Sequence, residues 1–259
     1  MIEEFTKKAF PFFKNEDFKT YRLICFHHAG GTVLVFKNWL AADPMVEVLP
    51  IEIDRKSIRN KETGEIDFNL ATDYAAENIA RIYDFRPTFV YGHSLGSLLA
   101  FDTVYKLEKK YGIKIEKLFV AGRHAPFAED PSTFRCSMGI EALKKELLQL
   151  GGTSSEVLQD AAFCKYLLPN IFEDYQLNEC YRYEGQKLDI PIVILSGNND
   201  FGAGKDIMSE WKQCTKNSSS AYTFDGGHFF PYEESKSEVL AVIMNEIYKN
   251  EGISKVAEF

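Results

Sequence analysis

Ser94, Asp200 and His228 are side chains whose types and order along this chain suit acyl transfer. The serine lies in Gly92-His93-Ser94-Leu95-Gly96, a G-x-S-x-G run inside "FVYGHSLGSLLAFD", residues 89 to 102. Between a strand and a helix, such a run holds its serine in a strained turn, with flanking glycines for room and the hydroxyl raised beside a helix N-terminus. A bare match is common by chance. Here an apolar run precedes it and a helical pattern follows, which is the context the turn requires. A serine hydroxyl is a weak nucleophile and needs a base that a carboxylate orients. With a turn of this kind the order is serine, acid, histidine. His228, in "DGGHFFPYE", is the histidine that follows the region of the acid, and Asp200 ends "IVILSGNND" directly after an apolar run. Asp206 lies further from that strand end, and Asp225 is too near His228 in sequence to need a fold to bring it there, so Asp200 is the expected acid.

Acyl transfer also needs two backbone N–H groups aimed at the developing oxyanion. One is expected from Leu95, the residue after the nucleophile. The other is expected from the loop "CFHHAGG", residues 25 to 31, where Gly30 and Gly31 permit close backbone approach and Ala29 is the candidate donor. His27 and His28 do not suggest zinc, because adjacent histidines face different directions and no third ligand is spaced for a metal. No metal site is expected. His93 reads as packing within the turn and His124 as a loop residue.

Positioning these groups takes a sheet. Short apolar or alternating runs bounded by turn residues recur at 21 to 26, 46 to 53, 88 to 92, 116 to 122, 190 to 197 and 220 to 226, and each reads as a strand. Helix-length segments at 69 to 84 and 95 to 111, the second closed by Gly112, lie between them, so the pattern predicts parallel strands with crossover helices: an α/β domain. From about 137 to 184 the alternation stops, and two or three consecutive helices are expected, placed as a cap over one end of the sheet.

Composition narrows the function. With 259 residues, 45% of them hydrophobic, the chain has material for one large domain, expected to span 1 to 259. A net charge of −8 disfavours nucleic acid, which wants a basic face. No run of eighteen apolar residues suggests a membrane span, and the opening "MIEEFTKKAFPFF" does not read as a signal peptide. Five cysteines without a CxxC pair argue against a full disulfide framework and fit a reducing cytoplasm.

Taken together, "LICFHHAGGTVLVFKNWL", "FVYGHSLGSLLAFD", "VAGRHAP", "LLPNIFEDYQLNECYRYEGQKLDIPIVILSGNND" and "GGHFFPYE" resemble the type II, or external editing, thioesterases that accompany non-ribosomal peptide and polyketide synthases. The resemblance runs through nearly the whole chain in order. It implies an α/β-hydrolase fold, a mostly parallel sheet flanked by helices with a helical lid insertion at about 137 to 184. It also implies a triad at Ser94, Asp200 and His228 and oxyanion amides at Ala29 and Leu95, the positions the residues themselves suggest. Three positions depart from the family pattern. His27 stands where the family usually has proline, Phe201 follows the acid in place of proline, and a turn carrying Arg55 and Arg59 replaces the usual Pro-Gly-Arg after the second strand.

What the resemblance implies is hydrolysis of acyl thioesters on the phosphopantetheine arm of acyl or peptidyl carrier domains, by a Ser-His-Asp acyl-enzyme mechanism that needs no cofactor of its own. Related alternatives are release of medium-chain fatty acids from a carrier, and cleavage of free esters by a carboxylesterase or lipase. A non-catalytic carrier-binding module is a reading from another class, to which an intact triad is superfluous. A monomer is the default expectation. Carrier domains are generally acidic, and the five lysines of "YKLEKKYGIKIEK", residues 105 to 117, could give them a basic face, although an ordinary solvated helix looks the same. Phe163, Tyr166, Leu167, Leu168 and Phe172 could line an acyl channel or pack the lid.

Overall fold

The computed structural model describes residues 2–14 and 18–249. Six strands form one parallel sheet: β1 (Tyr21–Phe26), β2 (Val46–Pro50), β3 (Thr88–His93), β4 (Lys117–Ala121), β5 (Ile192–Gly197) and β6 (Ser219–Phe224), in the order β2-β1-β3-β4-β5-β6. The first five are buried along their whole length, as strands covered on both faces must be. β2 is shorter than its sequence pattern, because beyond Pro50 the chain leaves the sheet and the Glu52 N–H bonds to the carbonyl of Ala9. Pro50 lacks an N–H and is tolerated on this edge strand.

Alternating residues divide the core into two layers. Ile24, Phe26, Val90, Leu118, Val120, Ile192 and Ile194 face one side, packed against α2 (Phe68–Ile82) and α3 (Leu95–Tyr111). Helix α1 (Ile2–Ala9) ends against the same layer through Ala9. Leu23, Cys25, Val48, Phe89, Tyr91, Phe119, Val193 and Leu195 face the other side, covered by Phe36 and Trp39 of a 3-10 helix at Val33–Trp39 and by the last helix of the chain, Lys236–Tyr248. Asp67 caps α2 by accepting from the N–H groups of Asn69 and Leu70, and Gly112 ends α3 in the left-handed conformation at φ 64°.

Between β4 and β5 no strand occurs. That stretch holds α4 (Ile140–Leu150), α5 (Ser155–Gln159) and α6 (Leu168–Cys180), the last entered through a π-helical turn at Phe163–Leu167. Leu143, Leu147, Leu158, Leu168 and Ile171, with Phe134, form a small core of their own. The short helix α7 (Lys205–Met208) follows β5, and the chain's last helix is α8. No helix among the described residues is long and apolar enough to cross a membrane. All five cysteines are unpaired.

Candidate active site

Because every strand is parallel, the loops after β1, β3, β4, β5 and β6 gather on one edge of the sheet. These loops carry Ala29, Ser94, Gly122, Asp200 and His228, which all line one cavity of about 750 Å³ together with Leu95.

Ser94 is where strand becomes helix. Its backbone is at φ 55°, ψ −123°, a conformation that costs a non-glycine residue about 1–3 kcal/mol unless its surroundings impose it. Packing imposes it here. A Cβ on Gly92 would lie 2.2 Å from the Gly96 carbonyl oxygen, and one on Gly96 would lie 2.4 Å from the carbonyl oxygen of Phe26. Both glycines therefore let backbone segments touch. The Ser94 N–H donates to the Ala121 carbonyl at 2.8 Å, tying the turn to the neighbouring strand. Ser97, fully buried one turn into α3, adds a fastening the motif does not announce. Its hydroxyl lies 2.8 Å from the Gly92 carbonyl and accepts from the Ala121 N–H at 3.1 Å.

The expected base and acid meet across loops 28 residues apart. His228 Nδ1 lies 2.9 Å from Asp200 Oδ2, and with a carboxylate as acceptor Nδ1 carries the proton, leaving Nε2 bare. The other oxygen, Oδ1, accepts from the N–H groups of Gly202 and Ala203, both at 3.1 Å, which fixes the carboxylate plane. The rival acids are elsewhere: Asp225 is held by the Asn198 amide at 2.7 Å, and Asp206 is exposed in α7.

His93 does more than pack. Its Nε2 lies 2.8 Å from the His228 carbonyl oxygen, which can only accept, so the proton is on Nε2 and the buried Nδ1 has no partner. Burial and the nearby His228 and His28 rings lower its pKa, and burial, with the charges of His27 and His228, brings His28 down to about 3. Both rings packed around His228 are uncharged at neutral pH, so an imidazolium formed there meets no cationic neighbour among them.

The loop from 27 to 31 runs beside the helical stretch. Gly31 N–H closes a turn onto the His28 carbonyl at 3.0 Å, and His27 faces Glu52 at 3.7 Å. His27 and His28 thus diverge. Burial works against a charged His27, but the bond to Glu52 and the His28 carbonyl outweigh it and leave its pKa raised. Ala29, next in the loop, lines the cavity opposite Leu95.

The remaining walls come from the stretch between β4 and β5. Phe134, Leu148, Leu150 and Tyr175 give apolar surface, while Arg123, Asp130, Glu146, Asp174 and Glu179 give polar surface. Phe201 stands at the rim, 94% exposed. Phe163, Tyr166, Leu167, Leu168 and Phe172, for which the sequence leaves channel lining and lid packing both open, do not line the cavity. Leu168, Phe163 and Phe172 pack into the helical stretch's own core, and Tyr166 and Leu167 face outward. Along α6 Leu168, Ile171, Asp174 and Leu177 share the buried face, and of these Asp174 lines the cavity. The lysines of 105 to 117 also lie apart from the site. Lys106, Lys109 and Lys110 pair with Asp73, Asp102, Glu108 or Asp189, and Lys117 is buried against Glu246. At about 1.5 Å per helical residue, Lys106 to Lys110 lie roughly 18 to 24 Å along α3 from Ser94.

A family model described as thioesterase domain matches residues 21–247. The gramicidin S biosynthesis protein GrsT of Aneurinibacillus migulanus is 30% identical over 228 residues, covering 87% of this chain and 88% of that protein. Thioesterase PikA5 of Streptomyces venezuelae is 32% identical over 212 residues, covering 81% of this chain and 75% of that one. Among solved structures, the type II thioesterase BorB from the borrelidin biosynthetic cluster superposes with a TM-score of 0.73 at 30% identity, covering 88% of this chain and 93% of BorB.

Proposed function

This chain belongs to the thioesterase family, and we propose that it hydrolyses acyl thioesters from the phosphopantetheine arm of carrier proteins, clearing stalled or wrong acyl groups during peptide or polyketide biosynthesis. The observation that carries the reading is the His228–Asp200 pair at 2.9 Å, opening into the cavity where Ser94 ends its strained turn. The biosynthetic setting is supported by the relatives, whose names place them in gramicidin S and borrelidin production.

In this reading His228 Nε2 takes the Ser94 Oγ proton as Oγ bonds to the thioester carbonyl carbon. The Leu95 and Ala29 N–H groups hold the oxyanion. The C–S bond breaks, and the imidazolium returns the proton to the departing pantetheine thiol. Water then gives its proton to the same nitrogen, attacks the acyl-serine and releases the carboxylic acid with Ser94 restored. Asp200 stays ionised throughout and fixes the ring. The helical stretch from α4 to α6 acts as the lid over this cavity. No cofactor of its own enters the steps, since the pantetheine arm belongs to the carrier.

The lysines of α3 are paired with carboxylates and lie well along the helix from Ser94. The exposed Phe201 at the rim and the lid edge are the nearer surfaces. Intact-mass spectrometry of an acyl-loaded carrier protein, incubated with the wild type and with Ser94→Ala, tests the reading. Loss of the acyl mass with the pantetheine arm retained, in the wild type alone, is the expected result. An acyl group that persists across carriers and chain lengths while p-nitrophenyl esters are cleaved would replace it with a free-ester hydrolase.

A further inference from the structure

The carboxylate of Asp174 lies on α6, in the lid, yet it is bonded to the loop that carries Ala29. Its Oδ2 accepts from the Gly30 N–H at 2.7 Å, across 144 residues of sequence, and its Oδ1 accepts from Arg55 Nη2 at 2.6 Å. The side chain is 9% exposed, so its charge is buried and tolerated because both oxygens are engaged. Backbone and lid are also in direct contact. Gly30 has φ +74°, and a Cβ there would lie 2.8 Å from Ile171 Cγ1, one helical turn before Asp174. Beside this contact, Glu173 pairs with Arg59 at 2.6 Å and with Arg55 at 3.4 Å, so the turn after β2 is clamped to the same helix.

The Gly30 N–H belongs to the peptide that joins Ala29 to Gly30. Holding that peptide plane fixes ψ of Ala29, and with the Gly31 to His28 turn on the other side it leaves the loop little freedom to rotate the Ala29 N–H away from the cavity. The same bond engages the Gly30 amide, leaving Ala29 as the loop's donor. Building on the function proposed above, we propose that Asp174 is a positioning residue: from the lid helix it orients the Ala29 N–H, so the oxyanion hole is complete while α6 is seated and loosens when α6 lifts. Arg55 neutralises the carboxylate without touching the loop. Lid position and catalytic competence are thereby linked through one hydrogen bond, and an acyl group is attacked efficiently once the lid has closed over it.

The test compares the wild type with Asp174→Ala, Asp174→Asn and Glu173→Gln on a short acyl-pantetheine thioester, and measures binding of a trifluoromethyl ketone analogue whose hemiketal with Ser94 places an oxyanion in the hole. Asp174→Ala is expected to lower kcat about ten- to a hundredfold with KM within about threefold, and to weaken the ketone by the same factor as kcat/KM. Asp174→Asn keeps an oxygen for the Gly30 N–H but turns its NH₂ toward the Arg55 guanidinium, and recovers part of the loss. Glu173→Gln removes the charge from the pairs with Arg55 and Arg59 but keeps an oxygen that accepts from Arg59, so α6 stays seated, Gly30 is untouched and kcat stays within about twofold. Should Asp174→Ala not fold, Asp174→Ser, too short to reach Gly30, carries the same expectation. Loss of kcat without loss of ketone affinity, an equal loss in Glu173→Gln, or wild-type rates in the Ala or Ser variant would overturn the positioning role. A wild type that neither cleaves thioesters nor is labelled at Ser94 would instead overturn the function it rests on.

Discussion

Replacing Asp200 by asparagine changes little in shape and, by the geometry of this site, nearly everything in chemistry. Oδ1 of Asp200 accepts two backbone N–H groups, from Gly202 and Ala203, and Oδ2 accepts from His228 Nδ1. An asparagine must keep its oxygen toward the two amides, because turning its NH₂ there would oppose two donors with a third. The NH₂ is then aimed at His228 Nδ1, which must accept, and the imidazole proton moves to Nε2. A base already carrying a proton cannot take another from Ser94. The expected fall in kcat is about 10⁴-fold, equivalent to about 5 kcal/mol of transition-state stabilisation. KM should stay within about threefold, and the melting temperature close to that of the wild type, because both backbone bonds survive. The assay follows thiol release from an acyl-pantetheine substrate with a colorimetric thiol reagent, beside Asp206→Asn and Asp225→Asn as comparisons expected within twofold of wild type. A loss in Asp200→Asn of less than about tenfold, or one matched by either comparison, would refute the assignment of Asp200 as the orienting acid.

The bond from His93 to the His228 carbonyl predicts that His93→Leu lowers kcat about tenfold and stability by about 1–3 kcal/mol, whereas His93→Gln, which can return a donor there, restores most of both; kinetics with urea unfolding decide it. Gly96→Ala drives a methyl toward the Phe26 and His27 carbonyl oxygens, at 2.4 and 2.6 Å, with backbone on both sides and nowhere to move. It should cost about 3 kcal/mol or more in urea unfolding, and a loss under 1 kcal/mol would show that the elbow yields. Burial raises the pKa of Glu246, but hydrogen bonds from Lys117, Lys249 and Tyr222 outweigh it and hold the carboxyl at about 2, below its ordinary 4.5. A depressed carboxyl stabilises above its unfolded value and loses that contribution as pH falls from about 4.5 through about 2. Thermal melts should therefore drop over that window by an amount corresponding to about 2 kcal/mol, and Glu246→Gln should flatten this part of the profile.

What could be read in the sequence is what chain-local rules govern. The elbow is legible because glycines at 92 and 96 are demanded by backbone contacts next to the turn, and the strands are legible because both faces of a parallel sheet are buried, as in "YRLICF". The end of β2 misled, since Ile51 and Ile53 keep the alternating pattern after the strand ends, the backbone of Ile51 and Glu52 being met by Cys25 and Ala9, which no local pattern announces. Side-chain direction within the lid was left open by the sequence. Phe163 and Phe172 satisfy an amphipathic pattern equally well against a cavity or against Leu143 and Leu158, and the π-helical turn at Phe163–Leu167 resets the phase of α6. The Asp174 contact was beyond any spacing rule. An aspartate in a helix with Glu173 beside it reads as a solvated face; it becomes a buried partner of Gly30 because Arg55, in the turn after β2, neutralises it. Without a guanidinium in that turn, burying the carboxylate against Gly30 would be far less favourable. Changes in the loop after β2 and in α6 are therefore expected to act together: Arg55→Gln alone should lose activity, and Arg55→Gln with Asp174→Asn should lose less than the sum of the two, a coupling that a double-mutant cycle on kcat measures directly.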